Sequence, residues 1–366
     1  MRKKEILVKL TSKDNLDDKI NQLEIHGLKF KKDACINRLL LFEVEKDNNI
    51  QATIDKVNKL GFVERAEPNI DFMANDADID ELDAEKFESN HVPAIWSVEQ
   101  GSEDIDIAVI DTGIDFEHEA LQSIIDKQNS YDFIQDKSDY YKPEDHGTHV
   151  AGLVASAHPY HKGAMHKANI IGLRVLAGNG RGTLEEIIEA IEYAAGNHPK
   201  GNLDEPVDVI NMSLGAPRGT PLLREAIENA KEAGVILVAA TGNDADNPHY
   251  DGGVHYPANY EDVIACGAVD FHLNIASFSN YGSNVDYTAP GVRVRSTLPD
   301  DSFGPQSGTS MASPILSGFI GLLLSQEYSK DEIEEVLDEI LFDTEQAERE
   351  HYGRGIVFYD YEKAMN

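Results

Sequence analysis

Two cysteines in 366 residues, Cys35 and Cys266, exclude a disulfide-stapled scaffold. They fall in what read as separate domains, so both are expected as buried thiols. No apolar run approaches the roughly 20 residues that a membrane-crossing helix needs. The stretch Met1 to Leu10 carries basic residues and then alternates, without the apolar block and small-residue cleavage site of an export signal. A cytoplasmic location is therefore expected, or a secreted one if an upstream signal has been removed. Basic residues are scarce beside acidic ones, 32 Lys and Arg against 66 Asp and Glu, and the net charge of −34 argues against nucleic acid or anionic membrane as partners. Metal-ligand spacing is also lacking. Asp76, Asp78 and Asp80 are spaced as in a calcium loop, but Glu81 replaces its glycine and Phe87 its bidentate Glu. His146 and His149 stand three apart with no Glu between them, whereas a zinc-protease helix places its histidines four apart around one. The metal reading is thus none at the site, with no cofactor required and calcium left to an unidentified position.

The length suits about two domains. Residues 1–73 read as four strands and two amphipathic helices in the order βαββαβ, the α+β ferredoxin-like split arrangement. Its strands are expected at Ile6 to Leu10, Leu28 to Lys32, Leu39 to Val44 and Val63 to Phe72. Residues 74–91 form an acidic stretch with little to bury, expected as a solvated linker. Across 92–366, β-branched runs such as Ile105 to Ile110, Val207 to Met212 and Val235 to Ala240 alternate with helical patterns. That alternation predicts an α/β domain, a mainly parallel sheet with helices on both faces.

Three stretches carry candidate chemistry. Gly308-Thr309-Ser310-Met311-Ala312-Ser313-Pro314 opens an apolar helix. Gly308 permits a sharp turn, Thr309 can cap, and Ser310 sits where unpaired N–H groups favour an anion, with Pro314 withholding the N–H that would bond the carbonyl of Ser310. A hydroxyl there suits a nucleophile that must stabilise an oxyanion, although taken alone the stretch is an ordinary capped helix. Asp111 ends the buried run Ile107 to Ile110 at the carboxyl edge, where sites gather in such sheets. Alone it is a turn former. Asp145-His146-Gly147-Thr148-His149 places an imidazole in the first turn of another helix, with Gly147 and Gly152 allowing close packing.

Together, Asp111-Thr112-Gly113, His146-Gly147-Thr148-His149 and Gly308-Thr309-Ser310-Met311-Ala312 resemble the three catalytic blocks of the subtilisin family, the subtilases, in the order Asp, His, Ser known for subtilisin itself. The resemblance covers about residues 92 to 325. It implies a serine endopeptidase of subtilisin-like fold acting on polypeptides, with Ser310 as nucleophile, His146 as general base and Asp111 as its orienting carboxylate. Asn243 is implied as the oxyanion-hole amide, His149 as a packed helix residue. The same resemblance makes Gly180-Arg181-Gly182 and Ser213-Leu214-Gly215 the two edges that pair with substrate, and puts His255 at the base of the first specificity pocket, where a small residue is common. The segment Ala157 to Gly163 is shorter than the family's calcium loop, and that site is expected to be absent. The first domain is similar to the family's inhibitory propeptide in element order and position, which implies a self-inhibited proenzyme whose partner is its own propeptide. Ile70 and Met73 are expected to fill the fourth and first pockets, with the cut between Met73 and Ala74. A dedicated maturation protease for one partner, or a silent peptide-binding pseudoprotease, are the alternatives.

Overall fold

The computed structural model describes residues 4–34, 36, 38–45, 48–75, 101–138, 142–159, 161–200, 203, 205–343 and 349–357. Cys35, the acidic stretch from Asp76 with its spaced aspartates, and the expected domain start at residue 92 lie outside them.

The N-terminal unit comprises β1 (Glu5–Leu10), α1 (Leu16–Glu24), β2 (Leu28–Asp33), β3 (Leu39–Val44), α2 (Ile50–Val57) and β4 (Val63–Pro68). Its strands form an antiparallel sheet in the order β2-β3-β1-β4, the split βαβ topology. Alternation along β1 sorts its side chains between two faces. Ile6, Val8 and Leu10 join Leu23, Ile54 and Val57 in a core beneath α1 and α2. Leu7 belongs to a different cluster, with Leu39, Leu41 and helices of the second domain. The sheet is therefore buried on both faces, the second by the rest of the chain. The expected strand Val63 to Phe72 is broken: after Pro68 the chain leaves the sheet and re-forms as β5 (Asp71–Ala74), whose partners lie in the other domain.

The second domain is built on a ten-stranded sheet among the described residues. Its elements begin with β6 (Asp106–Asp111), β7 (Tyr131–Asp132), β8 (Lys137–Ser138), α3 (Asp145–Ala155), a small hairpin β9 (Ala157–His158) and β10 (His161–Lys162), and β11 (Asn169–Arg174). They continue through β12 (Arg181–Thr183), α4 (Leu184–Ala194), β13 (Val209–Met212), β14 (Leu214–Gly215), α5 (Pro221–Glu232) and β15 (Ile236–Ala240). The last are β16 (Ile264–Val269), β17 (Tyr287–Pro290), the hairpin β18 (Val294–Leu298) and β19 (Ser302–Gln306), α6 (Thr309–Leu324), α7 (Ile333–Ile340), β20 (Phe342–Asp343) and β21 (Gly355–Ile356). The sheet order is β20-β21-β17-β16-β15-β13-β6-β11-β7-β8, parallel except at its two outer pairs.

Period-two alternation again divides the core. Ala108 and Ile110 face the cluster containing α4 and α5, while Ile107 and Val109 face the one containing α3, α6 and α7. These four side chains are fully buried, each large apolar one contributing about 1.5–3 kcal/mol. Both faces are thus covered by helices, as the sequence pattern predicts. No helix among the described residues is long and apolar enough to cross a membrane.

Candidate active site

Asp111 ends β6 with its side chain wholly buried, and its Oδ1 accepts from the backbone N–H of Thr112 at 2.6 Å. The same oxygen stands 2.6 Å from Nδ1 of His146, in the first turn of α3. α3 can approach this closely because residue 147 is glycine. A methyl group there would lie 2.7 Å from the carbonyl oxygen of Thr112. The Thr112 hydroxyl accepts from the Gly147 N–H at 2.8 Å, so it fixes the helix start rather than the Asp111 carboxylate. His149, one turn on, is buried with Nε2 3.1 Å from the carbonyl of Gly304 in β19. The two imidazoles therefore point to different partners.

Gly308 begins α6 at φ 150°. Pro314 deprives the Ser310 carbonyl of its helical donor, and the Ser213 hydroxyl supplies the replacement at 2.9 Å. Ser213 is held in turn by Asn211, whose Nδ2 donates to its Oγ at 3.0 Å and whose Oδ1 accepts from Ser313 and Ser317 of α6. This buried polar chain ties β13 to α6 and places Ser310. The Ser310 hydroxyl donates to the carbonyl of Ser213 at 3.0 Å.

Thr309 does not cap α6. Its hydroxyl donates to Oδ1 of Asn243 at 2.9 Å and its backbone N–H does the same at 2.9 Å. With its oxygen so engaged, Asn243 must turn Nδ2 outward. That amide donates to the carbonyl of Asn75, which also accepts from the Ser310 N–H at 3.3 Å.

Asn75 directly follows β5, which lies antiparallel between β12 and β14. Met73 is opposite Arg181 on one side and Gly215 on the other, Phe72 opposite Gly182, and Ala74 opposite Leu214. The Ala74 N–H donates to the carbonyl of Gly180 at 2.9 Å, and the Asn75 N–H to that of Ser213 at 3.3 Å. All the edge residues singled out in the sequence thus surround one strand. The register differs from expectation by two residues: Met73 is 46% exposed, whereas Phe72 is fully buried and Asn75 is 5% exposed. The alternating side chains of β5 turn Phe72 inward and Met73 out.

His255 lies beneath this strand. A methyl group at Gly215 would stand 2.9 Å from its Cβ, and Nε2 lies 3.1 Å from Oδ2 of Asp244. Burial holds this imidazole below its ordinary pKa, against the opposing pull of Asp244. Asp251 is exposed and accepts from the Gly253 N–H at 3.2 Å.

Residues 102–355 match the model of the subtilase family, peptidase S8. The chain belongs to that family. Family membership makes this subtilase a serine endopeptidase, a hydrolase that acts on polypeptides. The thermophilic serine proteinase of Bacillus sp. strain AK1 is 38% identical over 305 residues, covering 81% of this chain and 72% of that one. The major intracellular serine protease of Bacillus subtilis is 38% identical over 240 residues, 64% of this chain and 73% of the relative. The halolysin-like extracellular serine protease Nep of Natrialba magadii is 34% identical over 305 residues, covering 80% of this chain and 54% of its own. In fold, the subtilase matches fervidolysin from Fervidobacterium pennivorans at a TM-score of 0.78 with 22% identity, over 100% of this chain and 61% of that structure.

Asn75 and Thr309 escaped the sequence reading as site residues. Thr309 stands inside the motif and its hydroxyl was visible, but its partner is 66 residues away. In the segment Ala157 to Gly163, β9 and β10 close into a tight hairpin whose His158 and His161 rings stack near Phe303. Among the described residues no group of three or more His, Cys, Asp or Glu side chains is arranged to hold a metal ion.

Proposed function

We propose that this subtilase cleaves peptide bonds through an acyl-enzyme formed on Ser310, and that residues 1–75 are its own product-like inhibitor. One observation carries the reading: the Asn75 carbonyl sits between Nδ2 of Asn243 and the Ser310 N–H while β5 is paired on both edges. Two donors converging on one carbonyl oxygen beside a serine form an oxyanion hole, and the residue in it occupies P1.

The chemistry follows from the same atoms. The Ser310 oxygen leaves the Ser213 carbonyl and bonds to the P1 carbonyl carbon as its proton passes to Nε2 of His146. The carbonyl π pair moves onto the oxygen held by Asn243 and the Ser310 N–H. Asp111, 2.6 Å from Nδ1, fixes the tautomer and stabilises the imidazolium. Collapse breaks the C–N bond, with His146 returning the proton to the leaving amine. Water then repeats the sequence on the ester and frees the acid and Ser310.

On this reading the self-processing cut falls between Asn75 and Asp76, two residues beyond the expected Met73–Ala74 bond, with Phe72 rather than Ile70 in the fourth pocket. The N-terminal unit supports inhibition beyond β5. Asn69 Oδ1 accepts from the Glu185 N–H at 3.2 Å at the start of α4, and Glu67 Oε2 from the Leu222 N–H at 3.4 Å at the start of α5. Each satisfies a helix-terminal donor of the other domain.

The test pairs wild type with Ser310→Ala, following N-terminal sequence and fluorophosphonate labelling over time. Wild type should label, shorten to a chain beginning at Asp76 and gain activity as the fragment disappears. Ser310→Ala should stay full length and unlabelled. An active wild type that keeps residues 1–75 intact and attached would refute the inhibitor role, and labelled or active Ser310→Ala would refute the nucleophile.

A further inference from the structure

The pocket that receives Asn75 has glycine on two sides, Gly215 and Gly242, and both stand against one imidazole. A methyl group at Gly215 would lie 3.0 Å from Nδ2 of Asn75 and 3.3 Å from Nδ1 of His255, so these nitrogens flank the same spot. A methyl group at Gly242 would meet Nδ1 of His255 at 2.8 Å. His255 is only 5% exposed, and its Nδ1 has no hydrogen-bond partner among the described residues. Nδ2 of Asn75 donates to the carbonyl of Ala240 at 3.4 Å.

The tautomer of His255 is biased from its other side. Oδ2 of Asp244 lies 3.1 Å from Nε2, a charge contact without hydrogen-bond alignment, and its field favours a proton on that nitrogen, which leaves Nδ1 as an acceptor. The pocket then presents two acceptors, the Ala240 carbonyl and Nδ1 of His255, over a floor that the ring raises. A short side chain with a two-hydrogen donor suits it, as Nδ2 of Asn75 bonds the Ala240 carbonyl and keeps its second hydrogen for the Nδ1 side. Aspartate, of the same shape, brings acceptor charge to acceptors, and leucine offers neither of them a donor. Large aromatic side chains meet the imidazole.

We infer that the first specificity pocket selects a carboxamide, asparagine foremost, and that His255 is the residue that reads it. The inference rests on the proposed protease reading, because it takes Asn75 as the P1 residue. It goes beyond that reading by naming the substrate class: polypeptides cut after asparagine.

Processed wild type and His255→Gly are compared on p-nitroanilide peptides of sequence Asp-Phe-Met-Ala-X, with X as Asn, Asp, Leu or Phe. In wild type, kcat/KM for Asn should exceed that for Asp and Leu by at least about tenfold. His255→Gly should lose the preference for Asn over Leu and gain turnover on Phe. Because His255→Gly can fail to fold, full-length Asn75→Leu and Asn75→Asp chains supply a second arm: each should self-process at least about tenfold more slowly than wild type. A wild-type profile led by Leu or Phe, or Asn75→Leu processing at the wild-type rate, overturns the inference. Fluorophosphonate labelling separates the levels. Labelled enzyme with the wrong P1 profile refutes the pocket alone, whereas unlabelled wild type refutes the protease reading and this inference with it.

Discussion

In the proposed oxyanion hole the Asn243 carboxamide presents its N–H2 to the reacting oxygen, and an amide that flips presents an acceptor there instead. Thr309 prevents the flip by donating twice to Oδ1, from its hydroxyl and its backbone. Removing the oxyanion-hole amide costs about 10²–10³ in kcat in subtilisin itself, a magnitude known for that relative rather than deduced from this chain. Thr309→Val keeps the backbone donor and loses the hydroxyl. It should lower kcat by about tenfold with little change in KM, since the interaction matters most when the oxygen carries charge. Thr309→Ser should restore most of the rate. Equal kcat for Val and Thr would show that the backbone donor alone orients Asn243. This coupling also shows what the residues made legible. Asp111, His146 and Ser310 could be proposed as the reacting groups because each is announced by its immediate neighbours: a strand end, a helix start, a glycine turn. Asn75 could not. Its place depends on which residues of β5 stand opposite Arg181 and Gly215, and a two-residue slip leaves the same alternation in the sequence.

Among the elements, α4 and α5 bear the contact with the N-terminal unit, and its charges are paired across the boundary. Lys32 of β2 lies 3.2 Å from Glu185 and 2.8 Å from Glu189, carboxylates that are 4% and 1% exposed, and Lys9 of β1 pairs with Glu225 of α5. Burial pushes the Glu185 carboxyl up to about 7, the attraction of Lys32 offsetting only part of the effect. The folded chain therefore holds that proton up to about 7, and the unfolded chain only to its ordinary value of 4.5. Between those values the folded state binds more protons, so this group's contribution to stability falls as pH rises across the window. In a Ser310→Ala background, Glu185→Gln should remove the decline. Its urea-unfolding free energy relative to Ser310→Ala should grow by on the order of 2–3 kcal/mol between pH 4.5 and 8. A difference that does not change with pH would mean Glu185 is ionised throughout. The elements themselves were largely readable from periodicity, as β1, β3 and the helices opening at His146 and Ser310 show. The break after Pro68 was not, because β5 forms only against edges supplied by residues more than a hundred positions later.

For the whole molecule, the ledger of charge is lopsided, while several of its buried basic groups are paired. Acidic residues outnumber basic ones 66 to 32, for a net charge of −34. Repulsion among so many like charges destabilises any compact state, since unfolding spreads them apart. The basic side chains are not all spent against that excess at the surface. Lys9 and Lys32 are committed to the contact between the two units, and Arg174, 4% exposed, to Asp132 at 2.9 Å and Glu144 at 3.3 Å beside the active site. Salt acts differently on the two populations. At 1 M the screening length is about 3 Å, short enough to quench repulsion between exposed carboxylates but of little consequence for pairs from which solvent is excluded. Added salt should therefore relieve the unfavourable term and spare the favourable one. For Ser310→Ala, which on the proposed reading cannot digest itself, the melting temperature should rise by several degrees between 0.05 and 1 M KCl, with most of the gain below about 0.3 M, where the screening length changes fastest. Differential scanning calorimetry across a KCl series decides the matter. A melting temperature that stays level or falls would mean that surface ion pairs, not the net acidic charge, dominate the electrostatics of this fold.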